Sequence, residues 1–183
     1  LEGIPAPRLV FANGRYDATH SDLSGLPAGA TVQALSQVLA DGEPRDANFL
    51  LRRYERRDEV FARANAALAE EGAVVRAEAG VKAEAPLHLV SVGVPQDGDR
   101  AWHLRHLVHL RNDSALDIVE HQLAAGDHAH LSTEVLQLHL GQRTRIRHAR
   151  IQADAARATR FARTDAVLAR EAGYRRFDLE LGA

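Results

Sequence analysis

FARANAALA, at positions 61–69, has the spacing of a short amphipathic helix, because apolar residues recur at 60, 61, 64, 67 and 68. Asp58 stands where the N-cap residue is expected, and Gly72 stands where a left-handed residue would end the helix. After Gly72 the period of the apolar residues falls to two, which is the period of a strand. The sequence therefore predicts one helix followed by a long run of strands.

The alternation downstream is clearest in two segments, and in each the alternate residues are mostly leucine or valine. These residues are Leu104, Val108 and Leu110, with His106 between them, and Leu136, Leu138 and Leu140. Turns rich in Gly, Asn and Asp separate these strands from others at similar intervals. Many short strands at even spacing indicate a sandwich, a barrel or a β-helix, and periodicity alone leaves these alternatives open.

Two small elements are predicted near the N-terminus. Residues 9–16 have apolar residues on both sides of Asn13-Gly14, which is typical of a two-residue hairpin. Thr31 is interpreted as the N-cap of a short helix that ends near Gly42. Its apolar stripe would consist of Leu35, Val38 and Leu39.

The C-terminal part contains one ambiguous segment and one clear strand. Residues 153–172 are rich in alanine and arginine, so intrinsic propensity favours a helix, and taken alone this ambiguous segment is interpreted as helical. Residues 174–181 predict a strand with Phe177, Leu179 and Leu181 on one face. Such a strand leaves an edge that needs a cover, either a continuation of the chain or a second copy in a homodimer.

The composition bounds the class of protein. A chain of 183 residues with 45% hydrophobic residues and a net charge of -2 predicts one main globular domain with a small appendage. No apolar run is long enough to cross a membrane, so no membrane partner is expected and a cytoplasmic location is the default. The chain has no cysteine, which excludes disulfides and thiolate ligands from this chain. It also lacks a glycine-rich phosphate loop, so we do not expect it to use ATP.

A metal site is one alternative that the sequence offers. His128 and His130 are two residues apart on one strand face, and Glu134 follows, in a pattern that resembles the first metal motif of the cupins. The spacing of the glycines and the lack of a second motif argue against this enzyme hypothesis. We therefore favour polar residues on a strand face or turn, and we expect no catalytic, cofactor-binding or metal-binding residue.

The other histidines give no second site. In a strand, His103 and His109 point to one face and His106 to the other, so at most two of them could share a ligand sphere. His88 and His121 are isolated in the sequence. Packed or solvated roles are therefore expected for His103, His106 and His109, and the two isolated histidines give no argument for a hydrolase triad.

Nucleic-acid binding is a further alternative. Arg143, Arg145 and Arg147 would align on one strand face and form a stripe that could follow phosphates. Further arginines extend this region, at Arg150, Arg157, Arg160 and Arg163. Aromatic residues make up only 5% of the chain, and none lies between Trp102 and Phe161, which removes the stacking platform of single-strand binders. A solvated or protein-binding face is favoured, and no nucleic acid is expected as a partner.

Several short motifs together resemble the SufB/SufD family of iron-sulfur cluster assembly proteins. They lie in the predicted helix, just after Gly72, and in the strands that follow. The motifs are Ala64-Asn65-Ala66-Ala67, Glu71-Gly72-Ala73-Val74-Val75-Arg76, Ala79-Gly80-Val81, Pro86-Leu87-His88-Leu89, Arg105-His106-Leu107-Val108 and Leu116-Asp117-Ile118-Val119-Glu120. The N-terminal part, residues 10–35, is similar to the SufD branch of the family.

The resemblance implies a mainly β fold. Its core would be a right-handed parallel β-helix over residues 73–183, preceded by a small N-terminal α/β appendage of hairpin and helices over residues 1–72. It also implies that residues 153–172 continue the β-helix as strands. The helical segment with which the family docks SufC would lie beyond Ala183, so the chain alone is expected not to recruit SufC.

The resemblance also implies a function. The chain would be a non-catalytic scaffold subunit of the SUF system that works with SufB and SufC. ATP use would belong to SufC, and the thiolates that hold the cluster would belong largely to SufB. The chain alone would bind no cofactor, since the iron-sulfur cluster would be assembled in the complex.

Overall fold

The computed structural model describes residues 1–41 and 59–181. Eleven strands and two helices lie in these ranges. In chain order they are β1 (Arg8–Ala12), β2 (Arg15–Tyr16), β3 (Ala30–Ala34), α1 (Leu35–Asp41), α2 (Val60–Leu68), β4 (Ala73–Ala77), β5 (Leu87–Gly93), β6 (Arg100–Leu110), β7 (Ala115–Ala124), β8 (His130–Leu140), β9 (Arg145–Ala153), β10 (Ala158–Leu168) and β11 (Gly173–Glu180). No helix in these ranges is long and apolar enough to span a membrane.

Successive strands alternate between two sheets. Sheet A has the order β11-β9-β7-β5-β1-β2, and sheet B has the order β10-β8-β6-β4-β3. From β5 onward all neighbours pair in parallel, and each strand lies beside the strand two positions later in the chain. This is a parallel β-solenoid of about 4 turns, which confirms the predicted β-helix fold.

The apolar core lies between the two sheets. Inward residues of sheet B, such as Val108 and Leu138, are 0% exposed and meet inward residues of sheet A, such as Ile118 and Ile146. The register stacks apolar residues on apolar residues of the next turn, because Val108 pairs with Leu138 and Leu110 pairs with Leu140. The predicted inward faces at 104–110 and 136–140 are therefore confirmed, and burial of these apolar faces drives the stacking.

The N-terminal hairpin is confirmed and belongs to sheet A. Phe11 pairs with Tyr16 across a turn in which Asn13 and Gly14 both have positive φ. β1 also pairs in parallel with β5, so it adds one more strand to the sheet. The division between residues 72 and 73 stays a prediction.

The first predicted helix begins later than expected. Thr31 is not its N-cap, because residues 30–34 form β3, which pairs antiparallel with β4. The helix starts at Leu35, and its buried residues are Leu35 and Val38, which pack against Val74 and Leu107 on the outer face of sheet B. Leu39 is exposed, and Gly42 lies outside the described residues.

The apolar stripe predicted for α2 is wrong. Val60, Phe61 and Leu68 are exposed, while Ala62 and Asn65 are the buried residues that face sheet B. Asn65 is buried because its Nδ2 donates hydrogen bonds to the backbone oxygens of Leu104 (2.9 Å) and Thr133 (3.2 Å). Hydrophobic periodicity cannot predict the burial of a polar residue of this kind. The predicted N-cap Asp58 lies outside the described residues, and Glu59 occupies the N-cap position.

Gly72 does not end α2. The helix ends at Leu68, and its C-cap residue Ala69 has an extended backbone. Gly72 instead allows a close backbone approach, since a Cβ atom there would lie 1.9 Å from the carbonyl oxygen of Arg105. The glycine is therefore required by the contact between this segment and β6.

The helical interpretation of residues 153–172 is wrong, because most of this segment is strand β10, with turns on either side. β10 pairs with β8 along its whole length, from Ala158 opposite His130 to Leu168 opposite Leu140. Pairing with a preceding turn of the solenoid outweighs the helical propensity of its alanines and arginines.

Within the described residues, β11 and β10 form one edge of sheets A and B, respectively, and β2 and β3 form the opposite edges. Phe177 and Leu179 lie on one face of β11, as predicted, and they are 65% and 38% exposed. The register places that face on the outside of sheet A, because Tyr174 pairs with the inward Ile146. The inward residues of the last strand include Arg176 and Asp178, which form an ion pair. The exposed apolar residues Phe177 and Leu179 therefore lie on the outer face of sheet A, and the inward face of β11 is polar at this end.

Candidate functional site: the polar interior of the β-helix

The interior of the β-helix is apolar at one end of the sheets and polar at the other: β5, β7 and β9 run from apolar to polar inward residues, and β8 runs from polar to apolar. β7 begins with inward Leu116 and Ile118, and β8 ends with inward leucines. The opposite ends carry polar inward residues, and the parallel register stacks these from turn to turn. The buried polar side chains at this end are Ser91, Glu120, Gln122, His130, Ser132, Glu134, His148, Arg150 and Arg160. We call this region the polar interior.

One ion-pair group in the polar interior is centred on Glu120. Its Oε2 accepts hydrogen bonds from Arg150 Nε at 2.7 Å and from His148 Nε2 at 2.9 Å. Arg150 is the register partner of Glu120 one turn later, and the Nδ1 of His148 lies 3.0 Å from the hydroxyl of Tyr174. Burial alone would raise the pKa of Glu120, but the bond from His148 and the charge of Arg150 hold it far below its ordinary value. The Glu120 carboxylate is therefore ionised, and the two hydrogen bonds fix its position.

A second ion-pair group is centred on Arg160. Its guanidinium donates to Asp154 through Nε (2.7 Å) and Nη2 (2.8 Å), and to Glu134 through Nη1. Gln122 Nε2 donates to the other oxygen of Glu134 at 2.7 Å, which ties sheet A to sheet B across the interior. Burial lowers the pKa of Arg160, but the two carboxylates more than offset it and raise the pKa above its ordinary value. Both groups hold successive turns in register.

The residues of the cupin-like hypothesis lie near each other but do not form an open metal site. The rings of Trp102, His130 and His128 form a stacked column with centroid separations of 4.4 and 4.7 Å. Glu134 is bound by Arg160 and is not free to act as a third ligand. Across residues 1–41 and 59–181, no group of three His, Cys, Asp or Glu side chains is arranged to hold a metal ion. Burial lowers the pKa of His130, so its imidazole is neutral at pH 7.

Several buried polar atoms of this region have hydrogen-bonding capacity that no described protein group uses. They are Ser91 Oγ, Trp102 Nε1, Glu120 Oε1, Gln122 Oε1, His128 Nε2, both ring nitrogens of His130, and Ser132 Oγ. Such atoms are uncommon in a protein interior, where most buried polar groups have a hydrogen-bond partner. Among the described residues, the polar interior presents no nucleophile with an activating base.

The three histidines of β6 point as predicted. His106 is inward, 3% exposed, and its Nδ1 accepts a hydrogen bond from the backbone N–H of Ala73 at 2.9 Å. His103 and His109 face the other way, and His103 Nδ1 lies 2.8 Å from Thr133 Oγ1. His106 therefore has a packing role, and burial lowers its pKa.

His88 and His121, which the sequence shows as isolated, form a pair. Nδ1 of His88 lies 2.9 Å from Nε2 of His121 on the outer face of sheet A. Burial, followed by the charge of His88, lowers the pKa of His121 to about 4. His88 pairs with Val119 one turn later, so His121 lies two residues beyond that position, and a spacing close to one turn is the signal that could have revealed the pair.

The arginine stripe is not continuous. Arg143 lies in a turn with a φ of 55°, and β9 begins only at Arg145, so the predicted alignment on one strand face is wrong for Arg143. Arg143 and Arg147 form ion pairs with Asp113 and Asp117, respectively. Arg150 and Arg160 point inward, as described above. Fewer arginine side chains of this region are therefore both solvent-exposed and without a carboxylate partner than the sequence predicts.

The parallel β-helix with helices against one sheet defines the class of fold, and comparisons with known proteins point to a family within it. Residues 93–183 match the family described as "SUF system FeS cluster assembly, SufBD core domain". An iron-sulfur cluster assembly SufBD family protein of Synechocystis sp. is 27% identical over 184 residues. The alignment covers 96% of this chain and 40% of that relative. Both findings support the SufB/SufD family.

Proposed function

We propose that this chain is a non-catalytic scaffold of the SUF system and that it acts with SufB and the SufC ATPase. The observation that carries the proposal is the match of residues 93–183 to the SufBD core domain. These residues contain all of β6–β11, and so most of the parallel β-helix, including both ion-pair groups. A rigid stack whose turns are fixed by buried ion pairs suits a scaffold, since it presents fixed outer faces to other subunits.

The proposed division of chemistry agrees with the composition of the chain. In this proposal the cluster-holding thiolates belong largely to SufB, and the 183-residue sequence has no cysteine. Its sequence has no phosphate loop, so ATP hydrolysis would belong to SufC. The iron-sulfur cluster is then a product of the complex, and the chain itself holds no cofactor. A cytoplasmic location goes with this role.

We further propose that the chain belongs to the SufD branch. The support is the N-terminal segment 10–35, whose resemblance to that branch is stated above and which forms the hairpin and β3. In this proposal β10 and β11 are covered by another subunit, either SufB or a second copy of this chain, because each has a neighbour on only one side within the described residues.

Complex formation tests the proposal. The protein would be co-expressed with tagged SufB and with SufC from the same organism, and the purified material would be analysed for all three chains. We expect a complex that contains SufB. Failure to associate with either protein would refute the proposed function.

A matched pair of variants locates the contact. Phe177 on β11 and Val60 on α2 are exposed to nearly the same extent, 65% and 60%. Phe177→Arg is expected to weaken the association with SufB, while Val60→Arg is expected to leave it unchanged. Equal effects of the two substitutions would refute the placement of the partner at β11.

A further inference from the structure

A groove crosses the outer face of sheet A near the starts of β7, β9 and β11. Its volume is about 580 Å³, within the range of small-ligand sites. The polar interior lies at the other ends of these strands, so the two regions are separate. The small residues that line the groove are Ala83, Ala115 and Gly173, the large apolar ones are Leu116 and Ile146, and the charged ones are Asp117, Arg145, Arg147 and Arg175. We call it the arginine groove.

The arginine groove carries an excess of positive charge. Three arginines face one aspartate, although the chain as a whole has a net charge of -2. Arg147 is held by Asp117, with 2.9 Å between Nε and Oδ1, and this bond raises the pKa of Arg147. Arg145 and Arg175 make no side-chain hydrogen bond or ion pair with any residue in the described part of the chain. Two guanidinium groups are thus available, beside a third that is fixed in position.

The strand register sets the arrangement of these charges. Arg147 lies beside Arg175 on the neighbouring strand, and Arg145 lies beside Gly173. From strand geometry, the Cα atoms of Arg145 and Arg175 are diagonal neighbours roughly 8 Å apart. Gly173 has no side chain, and a Cβ atom there would meet nothing within 4 Å. The space between the two free arginines is therefore open down to the strand backbone.

We propose that the arginine groove binds a small ligand with at least two oxyanion groups, either phosphates or carboxylates. The planar guanidinium is the side chain best matched to both kinds of group, because it donates two parallel hydrogen bonds. Two free guanidiniums and the third held by Asp117 select a ligand with more than one negative group. A single-stranded nucleic acid is disfavoured, since no aromatic residue lines the groove to stack on its bases.

Titration calorimetry with two probes tests this site. Inorganic pyrophosphate represents the phosphate class and citrate represents the carboxylate class. We expect at least one probe to bind with a 1:1 stoichiometry and a dissociation constant below about 1 mM. The Arg145→Gln/Arg175→Gln variant is expected to bind about a hundredfold more weakly, because each of the two lost charge-assisted hydrogen bonds costs about tenfold.

Two further variants separate a shaped site from general charge attraction. Gly173→Leu keeps every charge and fills the groove, so it is expected to weaken binding as well. Arg15→Gln/Arg157→Gln removes two exposed arginines outside the groove and is expected to leave the affinity unchanged. Circular dichroism would verify that all variants are folded.

The results that overturn the proposal are distinct. Neither probe binding below about 1 mM would refute it. Equal losses of affinity in the Arg145→Gln/Arg175→Gln variant and in the Arg15→Gln/Arg157→Gln variant would show that the probe is attracted by net charge alone. A single-stranded oligonucleotide that binds more tightly than both probes, with no effect of Gly173→Leu, would assign the surface to nucleic acid instead.

Discussion

Arg150→Met tests whether the Glu120 ion-pair group holds the turns of the β-helix together. The side chains of Arg150 and Glu120 are 8% and 3% exposed, so water cannot replace the guanidinium when it is removed. Loss of one partner of a buried ion pair typically costs about 3–5 kcal/mol. Glu120 keeps its bond to His148 at 2.9 Å, so we expect the lower end, about 3 kcal/mol.

Urea unfolding followed by circular dichroism measures this change. For a slope of about 2 kcal/mol per molar urea, a loss of about 3 kcal/mol lowers the unfolding midpoint by about 1.5 M. The double variant Glu120→Gln/Arg150→Met supplies the control. It removes the buried charge that Arg150→Met leaves behind, so it is expected to be more stable than the single variant.

Two results would refute this reasoning. A midpoint for Arg150→Met within about 0.3 M of the unsubstituted protein would mean that the ion pair adds little to stability. A double variant less stable than Arg150→Met would mean that the uncompensated charge of Glu120 is not the source of the loss.

Three further predictions concern backbone contact, helix docking and pH. Gly72→Ala is expected to destabilise the fold by about 3 kcal/mol or more, because its Cβ would overlap the backbone of Arg105; an unchanged melting temperature would contradict this. Asn65→Asp is expected to lower the free energy of unfolding by about 1–3 kcal/mol, measured with urea, since an aspartate cannot donate a hydrogen bond to the backbone oxygen of Thr133. A variant as stable as the parent would contradict the stabilising role of this hydrogen bond. The pKa of His121 is about 4 in the folded protein and near 6.5 when unfolded, so the unfolded chain binds more protons between these values and stability falls as the pH drops through that window. We expect about 1 kcal/mol after allowance for solvent screening, and a His121→Asn variant with the same pH dependence as the parent would contradict the assignment.

Much of the strand pattern was predictable because burial follows local periodicity. Leu136, Leu138 and Leu140 alternate with other residues, and a half-buried strand is the structure that places them on one face. Asn13-Gly14 likewise predicts its hairpin, since both residues tolerate positive φ. These signals are local, and the structure confirms them.

Features that depend on which turn stacks on which were not predictable from local pattern. Glu120 meets Arg150, and His88 meets His121, only because successive turns align in register. Local propensity was also misleading for residues 153–172, where pairing with β8 decides the outcome. In α2 the apolar pattern failed because the buried contact is made by Asn65, a polar residue that satisfies backbone oxygens.

The most direct measurement of the proposed function is the yield of iron-sulfur cluster in a purified mixture of SufB, SufC, ATP, ferrous iron and a sulfide source. The yield would be followed by visible absorbance and iron analysis, with and without this protein. We predict that adding the protein raises the yield, that Gly72→Ala does not, and that the protein alone neither hydrolyses ATP nor retains iron. A yield that is unchanged by the folded protein, or ATP hydrolysis by the protein alone, would contradict its assignment as a non-catalytic SUF scaffold.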